Sequence, residues 1–386
     1  MNLKDGEEWQ ASFEAFMAPF GRFFKRAESR ESAGQYVRGL LADIKRKNCW
    51  QLAEMMGEAH PDGFQHLLYG ADWDANAVGQ QLRAMVASQM GYKPGIGLVD
   101  ESGFVKKGVC SAGVKRQYCG RVGKIENCQV GVYLGYIAPQ GHALLDRELY
   151  LPQDWCEDSE RRAKAKIPDN VTFQTKPQIA LQMLNRAWAE GIPLQWVVAD
   201  SAYGNASTFR EAIAAAGRYY ALEVPKSVRI RTATADFETA EAFSETLPTT
   251  AWTCYALNLS EQGLRASDWT AQRIIAATDN LGEQWLLVRR TRSDPVDITY
   301  FLSNAPAETT LDTLAQVAGS RYHVEHLLEE AKGSTGLGHY EVRYWHSWYR
   351  HMTLALMAHA WLTLLRQADA QKKSLTPAFL AVTELG

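Results

Sequence analysis

The sequence predicts a mixed α/β protein, in which a mixed sheet flanked by helices follows a helical N-terminal region and is interrupted by an inserted β subdomain. Three observations support this fold class. Apolar side chains recur at helical spacing from residue 8 to about residue 90. From residue 96 onward, short apolar runs typical of buried strands alternate with helical segments. Between residues 225 and 305 the pattern consists of strands and turns.

Length and composition are those of an ordinary protein with its own core. The chain has 386 residues, which suggests two or three domains, and 46% of them are hydrophobic and 22% charged. No run of about 18 apolar residues predicts a membrane span, and the first residues lack the apolar segment of a signal peptide. The six cysteines contain no Cys-x-x-Cys pair, so we expect reduced thiols and a cytoplasmic protein. The net charge of −3 argues against a general nucleic-acid binder but allows a local basic groove.

Residues 1–92 are expected to form a helical region. After an aromatic stripe at helical spacing, helices are predicted over residues 32–46 and 50–56, and a further helix is expected to end near residue 90. Asp72 or Asp74 is expected to cap that last helix. Two interpretations of the region stay open. It is either a bundle whose aromatic residues form a core, or a DNA-binding bundle that uses the basic run Lys45-Arg46-Lys47.

Residues 93–224 are predicted to form the first part of a sheet domain. The second and third of its strands are expected to form a hairpin around the turn Pro139-Gln-Gly141. Residues 102–124 are predicted to be a loop rich in glycine and basic residues. The predicted strands cover residues 96–100, 127–138, 142–151, 194–200 and 217–224, and the predicted helices cover residues 176–191 and 206–216.

Residues 225–305 are expected to be a β insertion, and residues 306–386 to return to the sheet domain. Helices are predicted over residues 310–332 and over residues 347–367. His351 and His359 lie on the second of these, which is apolar, and we expect both to be core histidines rather than metal ligands. The insertion has four predicted strands, at residues 252–255, 272–277, 284–289 and 297–302.

Three acidic residues are candidates for a common site. Asp100 and Asp200 each end a predicted strand, and ligands collect at the carboxyl ends of strands. A later helix could bring Glu325 to them. Three carboxylates close together require a divalent cation, and oxygen ligands favour Mg²⁺ or Mn²⁺. Two such ions would activate water or a 3′ hydroxyl for attack on a phosphodiester.

Structural roles compete with this interpretation for each acid. An aspartate at a strand end often caps a turn, and a glutamate on a helix is usually part of a surface ion pair. Glu101 follows Asp100 but is expected to point to the opposite face of the strand. Glu329 shares the helical face of Glu325, one turn later, and periodicity alone leaves the choice between them open.

Several ordered motifs carry a family resemblance. They are Val99-Asp-Glu-Ser-Gly-Phe-Val-Lys-Lys-Gly108, Val197-Val-Ala-Asp-Ser-Ala-Tyr-Gly204 and the segment from Arg321 to Lys332. Together they resemble the bacterial insertion-sequence transposases that have an RNase H-like DDE catalytic domain. The resemblance implies an RNase H-like sheet, Mg²⁺-dependent DNA cleavage and strand transfer, and Asp100, Asp200 and Glu325 as the metal ligands. It also implies terminal repeats and target DNA as partners, an assembly at least dimeric on paired ends, and a bacterial, nucleoid-associated location.

The branch of this family with an inserted β domain has the signature Tyr-x-x-Arg-x-x-x-Glu-x-x-x-x-x-x-Lys. Arg321, Glu325 and Lys332 fit it, which favours Glu325 over Glu329. The tyrosine position departs from the signature, because residue 318 is alanine. Whatever the family tyrosine contributes is therefore in question for this chain.

The resemblance gives the nearby cations expected roles in DNA binding. Arg321 would hold a phosphate through its planar guanidinium, and Lys332 would do so as a point charge. Tyr203 would contact a nucleotide, with packing under the turn as the alternative. Four further residues are expected to line the DNA channel, namely Lys106, Lys107, Lys115 and Arg116.

Two other functions are retained as alternatives. One is a catalytically idle DNA-binding regulator or accessory factor derived from a transposase, which the three acids disfavour and the alanine at 318 slightly favours. The other is a nuclease of the same fold that cleaves RNA or DNA without regard to element ends.

Overall fold

The structure is a computed structural model that describes residues 3–91, 94–232, 237–260 and 263–372. The predicted boundary between residues 92 and 93 and the end of the last segment, at residue 386, lie outside the described residues. Within them, no helix combines the length and the apolar character that crossing a membrane requires.

Among the described residues, helices lie before the first strand, after the last strand and in several connections between strands. They are α1 (Leu3–Met17), α2 (Ala27–Leu41), α3 (Cys49–Met55), α4 (Asp62–Tyr69), α5 (Ala75–Met90), α6 (Gln153–Glu157), α7 (Ser159–Lys164), α8 (Lys176–Ala189), α9 (Ser201–Gly204), α10 (Ser207–Ala215), α11 (Ala240–Glu245), α12 (Leu311–Gly319), α13 (Tyr322–Thr335) and α14 (Trp345–Lys372).

The strands begin after α5 and end before α12. They are β1 (Gly95–Val105), β2 (Lys115–Cys119), β3 (Lys124–Ala138), β4 (Gly141–Leu149), β5 (Leu194–Ala199), β6 (Tyr219–Val224), β7 (Arg229–Arg231), β8 (Glu238–Thr239), β9 (Thr253–Ser260), β10 (Gly263–Ala276), β11 (Glu283–Thr291) and β12 (Ile298–Ser303).

These strands form one mixed sheet of 12 strands. β1 lies between β3, which is antiparallel to it, and β5, which is parallel. β6 continues the sheet in parallel beyond β5, and β4 pairs with β3 on the side away from β1. The arrangement β4-β3-β1-β5-β6, flanked by helices, confirms the predicted RNase H-like fold class.

The two faces of β1 meet different helices. A Cβ atom on Gly135, which pairs with Leu98, would lie 3.1 Å from Leu327 of α13. A Cβ atom on Gly97, the neighbour of Leu98, would lie 3.5 Å from Leu184 of α8. Because side chains alternate along a strand, Asp100 lies on the face of α13 and Glu101 lies on the face of α8.

Most predicted elements are confirmed, and the differences concern their ends, one predicted loop and one predicted helix. Asp74, one of the two predicted caps, begins α5 by accepting a hydrogen bond of 2.8 Å from the Asn76 N–H. The predicted loop 102–124 was wrong in part, because it contains the end of β1 and all of β2. The predicted helix 310–332 is two helices, α12 and α13, which separate at Ser320 and Arg321.

The inserted strands extend the same sheet. β12 pairs with β6 in antiparallel fashion, with Tyr300 opposite Val224. β11 and β10 follow in order, and β7 and β8 lie beyond them. All of these strands except β6 lie within residues 225–305, so the insertion shares the hydrogen-bond ladder of the main sheet. The division of the chain into four segments stays a prediction.

The aromatic stripe at the N-terminus is part of the core. The ring of Phe13 meets that of Trp361 on α14 edge to face, with centroids 5.6 Å apart. This contact joins the first helix of the chain to its last, and it agrees with the interpretation of the region as a packed bundle. The buried aromatic residues of the stripe are Phe13, Phe16, Phe20 and Phe24.

The basic run beside this bundle is only partly available to DNA. Lys47 is buried, and its ammonium group donates hydrogen bonds to the carbonyl oxygens of Leu40 at 2.7 Å and of Ser334 at 2.5 Å. The expected DNA contact of Lys47 is therefore corrected, because this side chain ties α2 to the end of α13. Lys45 and Arg46 are exposed.

His351 is a core histidine, as predicted. It is fully buried on α14, and its Nδ1 lies 2.9 Å from the Tyr36 hydroxyl. Burial lowers the pKa of His351 to about 3, whereas an unfolded chain protonates its histidines near pH 6.5. Between these values the unfolded state binds more protons, so stability falls as pH decreases below 6.5.

A substitution at His351 tests this pH dependence. Between pH 6.5 and pH 4.5 the buried ring is expected to remove about 2 kcal/mol of stability, since one pKa unit corresponds to about 1.4 kcal/mol. His351→Gln, which keeps a polar group beside Tyr36, is expected to reduce the acid-induced decrease in the free energy of unfolding, measured by urea denaturation at both pH values, by that amount. His60→Gln replaces an exposed histidine and serves as the control. An unchanged pH slope in His351→Gln would contradict the prediction.

Candidate active site

Asp100 and Asp200 meet at adjacent positions of two parallel strands. In the register between β1 and β5, Leu98 lies opposite Val198 and Val99 lies opposite Ala199. Asp100 and Asp200 come next in this register. The predicted strand end at Asp100 was wrong, because β1 continues to Val105 and pairs with β3 from Ile96 to Val105. The second aspartate does follow the end of its strand, and it caps α9 by accepting from the Ala202 N–H at 3.0 Å.

The environment of the two aspartates disfavours their negative charge. Burial raises the pKa of Asp100 to about 7, and the nearby Asp200 carboxylate adds to the increase. Burial also raises the pKa of Asp200, with a contribution from Glu101, while Arg321 acts in the opposite direction. Two neighbouring carboxylates whose negative charge is only partly neutralised by nearby cations form a site to which a further cation binds favourably. Their oxygen atoms suit Mg²⁺ or Mn²⁺, so both residues fit a divalent metal ion.

Arg321 lies at the start of α13 and pairs with two glutamates. Its Nη2 is 3.3 Å from Oε1 of Glu325, one turn further along the helix. Its Nε is 3.4 Å from Oε2 of Glu223 on β6. The positive charge of the guanidinium also lowers the pKa values of Asp100 and Asp200, against the effect of burial. Arg321 is therefore a cation shared by the acidic residues around the ends of β5 and β6 and the start of α13.

Glu223 was not predicted as a member of this site. Burial raises the pKa of its carboxyl group, Asp200 adds to the increase, and Arg321 opposes it. A signal was present in the sequence, because Glu223 lies next to the end of the strand that follows Asp200 along the chain. That strand proves to be the parallel neighbour of β5.

Glu325 is exposed and engaged with Arg321 rather than with the two aspartates. Its side chain is 61% exposed, compared with 26% for Arg321. Among the described residues, Asp100, Asp200 and Glu325 do not form a group whose ligand atoms all lie within 4.8 Å of one another. The structure thus brings two of the three predicted ligands together and places the third on the adjoining helix. Glu329, the competing residue, is also exposed on α13.

Ala318, at the family tyrosine position, is buried in α12. Its methyl group belongs to the core rather than to the surface around Arg321.

The predicted DNA-binding residues have different environments. Lys332 is partly buried on α13, and burial and Arg121 lower its pKa while Asp100 opposes the decrease. The ammonium group of Lys106 lies 3.5 Å from the centroid of the Tyr340 ring and donates to the Tyr340 carbonyl oxygen at 2.9 Å. Lys106 is therefore engaged inside the protein, and burial lowers its pKa to about 7.

The other cations of the predicted channel lie on the surface. Lys107 and Arg116 are exposed. Lys115 is exposed as well, and it forms a salt bridge of 3.0 Å with Asp154. These three residues retain the accessibility that contact with DNA requires.

Tyr203 packs under the turn, which was the alternative to a nucleotide contact. It is fully buried, and its hydroxyl donates a hydrogen bond of 2.7 Å to Oε2 of Glu101. Glu101 also pairs with Lys176 at the start of α8. Both contacts agree with the prediction that Glu101 points away from the face that carries Asp100. Tyr203 thus supports the turn after Asp200 from below.

Comparisons with known proteins agree with this arrangement. Residues 19–244 match the family model described as DDE superfamily endonuclease, and residues 164–361 match that of the transposase DDE domain. The chain is also 29% identical over 171 residues to a protein of Microchaete diplosiphon named "Probable transposase for insertion sequence element IS701". That match covers 43% of this chain and 41% of the other protein, so the chain corresponds to less than half the length of this relative.

Proposed function

Because the chain belongs to the DDE superfamily, among the transposases of insertion sequences, we propose that it binds the ends of a mobile DNA element and cleaves phosphodiester bonds there. The freed 3′ hydroxyl then attacks target DNA. The observation that carries this proposal is the placement of Asp100 and Asp200 in register on two parallel strands, with their charge only partly offset. Such a pair is suited to a divalent cation at the edge of a sheet.

Asp100 and Asp200 are proposed to hold Mg²⁺, and Glu325 to complete the ligand set. When bound, one or two such ions supply activation of a water or hydroxyl nucleophile and stabilisation of charge on the phosphodiester. The two aspartates fix the site where β5 ends beside the middle of β1. Tyr203 and Glu101 keep the turn after Asp200 in place from the opposite face.

Arg321 has a further role in this proposal. Its guanidinium group is shared by Glu325 and Glu223 in the structure. A phosphate of bound DNA is a stronger, bidentate partner for arginine than an exposed carboxylate. Binding of DNA to Arg321 would release Glu325, and the third carboxylate would become available only when the substrate is present. Lys332, further along the same helix, would hold a neighbouring phosphate.

The proposal is tested by incubating the purified protein with labelled DNA that carries the ends of its element, together with Mg²⁺ or Mn²⁺. Nicks at the ends and joined products in target DNA are expected. Binding of the ends without nicking would support the catalytically idle regulator instead. Cleavage that is indifferent to the end sequence would support an unspecific nuclease of the same fold. The expected assembly on paired ends is at least a dimer, which the mass of the protein–DNA complex would reveal.

The choice between Glu325 and Glu329 has its own test. Glu325→Gln is expected to lower the rate of end cleavage by about 1,000-fold, because metal-ion catalysis contributes several kcal/mol and each 1.4 kcal/mol is tenfold in rate. Glu329→Gln is the matched control, since it removes an exposed carboxylate one turn along the same helix. Its cleavage rate is expected to stay close to that of the wild type. The reverse result would move the third ligand to Glu329.

A further inference from the structure

A second group of potential metal ligands lies on the same helix as Glu325 but involves none of the three predicted acids. It consists of His142 at the start of β4 and of His326 and Glu330 on α13. Their ligand atoms all lie within 4.8 Å of one another. His326 and Glu330 are one helical turn apart, which places both on one face. Two secondary-structure elements therefore contribute to one small group of nitrogen and oxygen donors.

His359 of α14 lies beside these three residues, next to Glu330, and is a fourth potential donor. It is fully buried, and its Nε2 lies 3.4 Å from Oε2 of Glu330. Within the described part of the chain, neither ring nitrogen of His359 makes a hydrogen bond, and Oε2 of Glu330 makes none either. Buried polar atoms without partners are costly and require an explanation. His359 was predicted to be a core histidine, and its burial agrees with this, but Nε2 has only the 3.4 Å contact with Glu330 and Nδ1 makes no hydrogen bond.

We propose that His142, His326, Glu330 and His359 form a binding site for a divalent transition-metal ion, with Zn²⁺ as the best match. Imidazole nitrogens suit zinc, nickel and copper, whereas Mg²⁺ requires oxygen ligands. Three histidines and one carboxylate make a ligand set typical of zinc. The site differs in chemistry from the pair Asp100 and Asp200, which offers only oxygen atoms.

The surroundings of the site are compatible with a cation. Burial lowers the pKa of His142 and of His359 to about 4, so both rings are neutral near pH 7 and can donate a lone pair. Arg366 contacts Oε1 of Glu330, which leaves Oε2 on the side of His359. The Arg366 side chain is 58% exposed, so it can turn toward solvent when a cation binds.

Such an ion would connect three elements of the fold. His142 belongs to β4, His359 to α14, and the other two ligands to α13. Glu325 directly precedes His326, so the ion would fix the helix that presents the third predicted acid. This role is structural, and it holds whether or not the chain cleaves DNA.

Metal binding is tested with the full-length chain, free of any affinity tag and of metal, titrated with Zn²⁺ in a calorimeter. One ion per chain is expected at this site. His326→Ala is the principal variant, because this ring is exposed and its loss leaves the core intact. It is expected to weaken Zn²⁺ binding by more than about 100-fold. Removing a residue that only hydrogen-bonds to a metal ligand already lowers metal affinity by roughly 10- to 100-fold, and His326 would be a ligand itself. Glu330→Gln is expected to weaken it similarly.

Two controls separate this site from other histidines and from the aspartate pair. His60→Ala removes an exposed histidine outside the group and is expected to bind Zn²⁺ like the wild type. The double variant Asp100→Asn/Asp200→Asn is also expected to retain the ion. Equal affinity in the wild type and His326→Ala, or loss of the ion in the aspartate variant, would overturn the proposal. Loading the protein with Co²⁺ in place of Zn²⁺ gives a second measurement. A four-coordinate Co²⁺ site is expected to absorb visible light strongly, and His326→Ala is expected to lack this absorption.

Discussion

Asp100→Asn and Asp200→Asn are each expected to abolish cleavage of element ends while DNA binding persists. Each substitution removes one charged oxygen ligand from a pair that lies in register on β1 and β5. The cleavage rate is expected to fall by at least about 1,000-fold, because the metal-ion contribution of several kcal/mol is lost. Nicking of labelled end DNA with Mg²⁺ measures the rate, and a gel-shift assay measures binding.

Loss of folding is not the expected cause of that result, and the melting temperatures of the variants check this directly. The raised pKa values show that burial and mutual repulsion disfavour both carboxylates, so a neutral amide relieves an unfavourable charge. Asparagine also caps helices about as well as aspartate, which preserves the start of α9. The variants are therefore expected to melt at or above the temperature of the wild type. Asp43→Asn, which alters an exposed aspartate, is the matched control for cleavage.

Wild-type cleavage by either variant would remove that aspartate from the site. A variant that neither cleaves nor binds DNA, yet melts normally, would instead assign the residue to DNA recognition. Asp100 and Asp200 are paired in the protein without DNA. Glu325, in contrast, is proposed to become available as a ligand only after DNA binding releases it from Arg321.

The two aspartates could be found from the sequence because the rule behind them is local. Each follows an apolar run, and the carboxyl ends of parallel strands meet at one edge of a sheet. The continuation of β1 through Glu101 and Ser102 could not be found in this way, because the apolar pattern ends at Asp100. That part of the strand is defined by its pairing with β3, where Ser102 lies opposite Gly131.

Contacts between distant parts of the chain account for the remaining differences. Four strands of the insertion were predicted one by one and β7 and β8 were not, and the membership of all of them in the main sheet depends on the pairing of β12 with β6. Glu223 joins the site only because that region of the sheet places β6 beside β5. The histidine group had one local signal, the one-turn spacing of His326 and Glu330, while His142 comes from a remote strand. Side-chain periodicity carries no information about such pairings.

A buried ionic network is the second place where a single substitution is expected to have a large effect. Asp146 of β4 is fully buried and contacts three arginines. Arg83 of α5 lies 3.2 Å from it, Arg147 3.1 Å and Arg186 of α8 2.9 Å. Burial alone would raise the pKa of Asp146, but Arg83, Arg186 and Arg147 hold it below its usual value. The carboxylate thus joins α5 and α8 to β4.

Asp146→Asn is expected to destabilise the protein by about 3–5 kcal/mol, because it keeps the shape of the side chain but leaves buried arginines without their common partner. Arg83 keeps its paired contact with Glu190, and Arg186 keeps Glu148, so Arg147 loses most. Urea unfolding followed by circular dichroism measures the change. Asp72→Asn is the control, since the Lys25–Asp72 pair is 73% and 74% exposed and little change is expected. Equal midpoints for both variants would show that the Asp146 network contributes no more than a surface ion pair.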